Sequence, residues 1–155
     1  KRPHNDHLYT LGSVFAEKGY RPLYVYGGYA YFDNMQAFYE GNGYRVADRT
    51  ALAEDEIHFQ NIWDVCDEDL HTLALREIDR EAAAGQRFFA HVMTVSNHRP
   101  YTYPEGRIDI PSGKSREGAM VYAHATGADV EALLDSIAHY QEQGYRAVRG
   151  RLRRQ

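Results

Sequence analysis

The chain has a single cysteine, Cys66, so no internal disulfide framework can staple it. No apolar run approaches the roughly 20 residues that a helix needs to span a bilayer. Nothing at Lys1 has the charged-then-apolar pattern of a secretory signal, and the chain as given is expected to be soluble. A basic face is missing as well. The net charge is −4, and five arginines with no acid lie in residues 146–155, which leaves −9 on the rest. An acidic body with a short basic tail is a poor nucleic-acid binder, because phosphate attraction needs a basic surface. The tail reads as a solvated terminus. At 155 residues the chain suits one domain that can bury a core without disulfides or metals.

Apparent metal patterns have simpler readings. His4 and His7 have ligand spacing but flank a loose, Pro3-bearing terminus. Asp64, Asp67, Glu68 and Asp69 precede Leu70, Leu73, Ala74 and Ile78, an apolar stripe at helical spacing. The acids read as first-turn residues, with Asp67 the helix cap.

What the chain does have is an alternation of helix and strand signals. Thr10 is placed to cap a helix through Leu11, Val14, Phe15 and Lys18, which Gly19 ends. Leu23–Tyr26 reads as a strand, Met35–Glu40 as a helix stopped by Gly41-Asn42-Gly43, and Tyr44–Asp48 as a further short strand. Residues 50–59 are an acidic surface excursion, and Trp63 reads as core. The helix after Asp67 closes at Gly85 and leads into Phe88–Val95. That run is mostly apolar, without Gly or Pro, and reads as a strand buried on both faces, with His91 a core histidine. After a turn-rich loop, Ser115–Tyr122 can open a helix and Asp129–Gln143 is another. The fold class expected is therefore α/β, with a mainly parallel sheet.

Ligands of open α/β sheets sit outside the carboxyl ends of the strands. Two such ends carry polar residues. One is Ser96-Asn97-His98-Arg99, where Pro100 stops the strand. The other is Gly27-Gly28 through Asp33-Asn34, where the glycines allow close backbone approach, and Asp33 or Asn34 serves either a site or a helix cap. The candidate binding residues are His98, Asn97, Arg99, Gly27, Gly28, Asp33 and Asn34, and the two turns are expected to open onto one hollow. Ser96 or His98 as catalyst of a small hydrolase is a further reading, but the strained serine elbow of the G-x-S-x-G kind is absent.

Thr94-Val95-Ser96-Asn97-His98-Arg99-Pro100-Tyr101 resembles the T-x-S-N-H-x-P-[YF] signature of the lipoteichoic acid synthase-like enzymes, in the sulfatase branch of the alkaline phosphatase superfamily. Leu11-Gly12-Ser13, Tyr26-Gly27-Gly28, Tyr31-Phe32-Asp33-Asn34-Met35, Gly41-Asn42-Gly43-Tyr44, Asp67-Glu68-Asp69-Leu70, Tyr103-Pro104-Glu105-Gly106 and Ser115-Arg116-Glu117-Gly118-Ala119 extend the likeness in order over roughly residues 1–120. The resemblance implies a three-layer α/β/α sandwich, with residues 1–145 a partial catalytic domain and 146–155 the tail. It also implies a place on the extracytoplasmic face of the cell membrane, reached through segments outside this chain.

The implied chemistry is attack by a metal-activated threonine on a phosphoester of an envelope glycolipid or glycan, with Mn²⁺ or Mg²⁺ polarising the phosphoryl oxygens. His98 matches the histidine that contacts the phosphoryl group or its glycerol. The matching segment in these synthases reads Phe-Trp-Asn-Arg, so Asp33 and Met35 stand at the tryptophan and phosphate-gripping arginine positions. The family's threonine, its acidic metal ligand and its Asp-His metal pair have no match here. The chain is thus expected to keep pocket residues, to bind no metal of its own and to be inactive alone. A non-catalytic ligand- or partner-binding module is the alternative.

Overall fold

The computed structural model describes residues 4–125. The expected helix Asp129–Gln143 and the basic tail lie outside the described residues. Thr10 begins the first element as its pattern predicts: Thr10 and Ser13 form a reciprocal capping box that opens α1 (Leu11–Ala16). Gly19, at φ +77°, then turns the chain into β1 (Arg21–Tyr26). The order continues as α2 (Met35–Gly41), β2 (Arg45–Ala47), a two-stranded hairpin of β3 (Gln60–Asn61) and β4 (Asp64–Val65), α3 (Asp67–Ala83), β5 (Phe88–Met93) and α4 (Arg116–Ala125).

The main sheet runs β2-β1-β5, all parallel, with Tyr24 opposite Val46 on one side and His91 on the other. Strand alternation sends β1 side chains to two different layers. Val25, with Val92, packs on Leu70, Leu73 and Ala74 of α3. Tyr24 and Tyr26 pack on the opposite face with Met35 and Tyr39 of α2, and Phe15 of α1 stacks on Phe89 at 4.3 Å. Helices therefore cover both faces, giving the expected three layers.

Which strand is central differs from the expectation. From Leu23 to Tyr26 β1 is wholly buried, whereas β5 is only partly covered and His91 is exposed. Among the described residues β5 has a neighbour on one side only, so its apolar run meets solvent along the other edge. Periodicity reports the apolar character of a strand but not the number of its neighbours.

At the amino-terminal end of the strands, the carboxylates of Glu77 and Glu81 are each 3% exposed. Arg45 bridges them at 2.6 and 3.2 Å, and Arg21 and Arg80 close the network. No helix among the described residues is long and apolar enough to cross a membrane.

Candidate functional site at the carboxyl ends of the strands

The first turn of α3 organises the rim of the sheet. Cys66, not Asp67, is the cap residue. The Asp67 carboxylate instead fastens the end of β5, where its Oδ1 accepts the backbone N–H groups of Val95 and Ser96, each at 3.0 Å. Ser96 Oγ accepts the Asp67 N–H in return, also at 3.0 Å. Both residues are buried, so Ser96 is fastened inside and does not face substrate as a nucleophile would. Glu68 pairs with Arg107 at 3.0 Å. Asp69 accepts the N–H of His58 at 2.9 Å and meets its Nδ1 at 2.7 Å. Three successive acids thus grip three separate loops, neither capping α3 nor forming a metal cage.

Cys66 shares this turn. Its Sγ donates to Asp69 Oδ2 at 3.3 Å, and burial pushes the thiol pKa up to about 11. Thiol reactivity requires thiolate and access, and Cys66 has neither in the folded state. The native chain is expected to resist iodoacetamide near neutral pH and to label once unfolded in urea, as mass spectrometry would show.

From Ser96 the chain runs into the exposed loop Asn97-His98-Arg99. Trp63 anchors it: the indole Nε1–H donates to the Arg99 carbonyl, and the His98 ring rests on the indole with centroids 4.2 Å apart. His98 Nδ1 faces the same Arg99 carbonyl at 3.1 Å, and the residue is exposed. The other side of Trp63 packs into the tyrosine cluster, and Phe32 meets its edge at 5.9 Å. Trp63 is therefore both core and platform, where its sequence context indicates core alone.

The glycine-bearing turn reaches the same tryptophan. A Cβ on Gly28 would sit 2.8 Å from the Trp63 carbonyl oxygen and 2.9 Å from the Tyr26 ring. Gly27 and Gly28 are buried, and their carbonyls accept the N–H groups of Val65 and Arg49. Close packing of the turn on β4, and not an unusual dihedral or an exposed cradle, is what requires glycine here. The left-handed geometry falls instead on Asp33 (φ +48°) and Asn34 (φ +61°). Neither side chain caps α2. Asp33 is exposed, and its charge, with that of Asp64, adds to burial in pushing the Tyr26 phenol up.

Below the turn, Asp64 at φ +104° pairs with Arg49 at 2.5 Å, and burial raises its carboxyl against the pull of that guanidinium. Arg49 also lies over the Tyr29 ring at 5.1 Å. The two turns thus stand side by side, joined through Trp63. A separate cavity of about 600 Å³ borders β2 and includes Arg45, Arg76 and Arg80, but their guanidiniums are already paired with Glu77 and Glu56, and His98 is not part of it.

Known proteins share this fold. The sequence profile of the sulfatase family matches residues 2–135. The chain belongs to the sulfatase family. A protein in the alkaline phosphatase superfamily from Vibrio parahaemolyticus superposes with a TM-score of 0.73 at 33% identity, over 81% of this chain and 31% of that one. The lipoteichoic acid synthase LtaP of Listeria monocytogenes shares the fold, with a TM-score of 0.63 at 24% identity over 90% of this chain and 34% of LtaP. This sulfatase-family chain spans about a third of those solved proteins.

A different likeness is confined to 37 residues, 81% identical to a D-galactonate dehydratase family member of Oceanicola granulosus. It covers 24% of this chain and 9% of that protein, too little to bring a second fold or activity with it.

Proposed function

We propose that this sulfatase-family chain is the substrate-pocket portion of a phosphoester-processing enzyme, a phosphoglycerol transferase or a sulfatase-like hydrolase acting on envelope glycolipids or glycans. The observation that carries it is the meeting of the His98 loop and the Gly27–Asn34 turn on Trp63 at the carboxyl end of the sheet. In this reading the exposed His98 ring donates to a phosphoryl oxygen as charge develops there. Asn97 and Arg99 supply further donors beside it, and Asn34 holds the opposite side of the hollow. Asp33 suits hydroxyl groups of a glycerol or sugar, or an amine, and is a poor partner for phosphate. Gly27 and Gly28 act from beneath, by letting the turn close on Trp63.

A divalent cation, Mn²⁺ or Mg²⁺ by resemblance, would neutralise phosphoryl charge in the complete enzyme. Among the described residues no three His, Cys, Asp or Glu side chains gather to hold one. No step through such an ion is assigned to this chain. Membrane attachment at the extracytoplasmic face belongs, in this reading, to segments beyond it.

The test compares the isolated chain with one extended to the full length of the solved relatives, each given Mn²⁺ and a chromogenic aryl phosphodiester. The isolated chain should show no turnover and the extended one should. Manganese-dependent turnover by the isolated chain would refute the inactive-portion reading. An extended protein that binds a phosphoester without turning it over would favour the non-catalytic binding module.

A further inference from the structure

Three chemically soft or borderline side chains converge on the α2 face of the sheet, below the rim. The chain has three methionines, and two of them meet at one phenol. Tyr24 is fully buried, and its hydroxyl lies 3.2 Å from Met35 Sδ and 2.9 Å from Met93 Sδ. The two sulfurs are thus within about 6 Å of each other. A thioether is a weak acceptor, so a strong donor is held in the interior without an oxygen or nitrogen partner of its own among the bonds it makes. Such an arrangement is unusual, because buried hydroxyls generally find an oxygen or nitrogen acceptor.

An imidazole stands against the same tyrosine. His91 and Met93 are two residues apart on β5 and so project to one face. His91 is opposite Tyr24 in the strand register, with ring centroids 5.4 Å apart. Its ring makes edge contacts to Tyr24 and Tyr39 and is otherwise exposed. Met93 is 39% exposed, giving an entry path from solvent.

We propose that Met35, Met93 and His91 form a binding site for a soft monovalent cation, Cu(I), with Tyr24 as the buried floor. Thioether sulfur selects Cu(I) over hard divalent ions, and imidazole completes a three-coordinate set that closed-shell monovalent ions accept. Methionine has three rotatable bonds beyond Cα, which is the freedom the two sulfurs use in this proposal to approach one ion. The Tyr24 hydroxyl keeps its proton and rotates away from whichever sulfur bonds the metal. The ligands come from β5 and from the first residue of α2, so the ion would tie the edge strand to the helix layer above it. The site is independent of the phosphoester chemistry proposed above: it uses neither His98 nor the Trp63 platform.

Silver(I), the redox-inert stand-in for Cu(I), tests this on the full chain. Cys66→Ser removes the competing thiol while keeping a hydroxyl to reach Asp69. With ¹³C-methyl methionine labelling, one equivalent of Ag(I) in chloride-free buffer should shift the Met35 and Met93 methyl signals together and leave Met120 in place. Met35→Leu and Met93→Leu preserve side-chain volume. Each should weaken binding by more than about tenfold, since removal even of groups that only support a metal ligand costs that much. His91→Gln should weaken it comparably.

Methyl signals that stay fixed, or that move no more than that of Met120, would overturn the site. So would leucine variants that bind Ag(I) as the parent does. If a leucine variant fails to fold, the methyl shifts of the parent chain decide the matter alone.

Discussion

Asp67→Ala is expected to destabilise the chain by about 2–5 kcal/mol, because it strands two buried backbone donors that share one carboxylate oxygen. The side chain of Asp67 is 1% exposed, so water cannot replace it at Val95 and Ser96. The bond from the backbone N–H of residue 67 to Ser96 Oγ survives in alanine, so the loss is confined to the two donors of Val95 and Ser96. Asp67→Asn can keep an oxygen for the two donors while losing the charge and exchanging the other oxygen for an NH2 group, so it should cost clearly less. Urea denaturation followed by Trp63 fluorescence gives both values. Labelling of Cys66, one residue away, reports whether the end of α3 opens locally before global unfolding. If alanine and asparagine cost the same and both stay under about 1 kcal/mol, the carboxylate is not the fastener described here.

This contact marks where sequence reasoning stops. Local signals are legible: the Thr10–Ser13 capping box, the glycine stops at Gly19, Gly43 and Gly85, and the α/β alternation each depend on residues close together in the chain. The position of the rim is legible too, because Pro100 and the paired glycines punctuate strand ends. Asp67 looks like a cap because acids before an apolar helical stripe usually are caps. Its actual partners lie 28 and 29 residues away, and no spacing rule points to them. Trp63 reads as core alone for a similar reason: its second role depends on a carbonyl 36 residues downstream. The apolar run of β5 overstates its burial, because it does not say how many strands flank it. In each case the missing information is a long-range contact, which single-sequence periodicity does not encode.

The largest effect on chemistry is expected at His98, measured in the protein extended to full family length. His98→Ala should lower kcat by about a hundredfold, the scale of losing one donor to developing oxyanion charge, with a smaller change in KM. The fold should survive, because the ring is exposed and leans on Trp63 without filling a cavity. Trp63→Phe separates platform from anchor. Phenylalanine keeps an aromatic surface beneath the imidazole but deletes the N–H that holds the Arg99 carbonyl. Loss of that anchor should misplace the loop and cost roughly tenfold in kcat/KM, with a lower unfolding midpoint from the smaller ring in the tyrosine cluster. The double variant should then be no worse than His98→Ala alone, since a platform has no catalytic value without the group it positions. Full additivity would mean that Trp63 acts on substrate independently. Loss of folding in His98→Ala would mean that the imidazole is a structural element of the rim and not a phosphoryl contact.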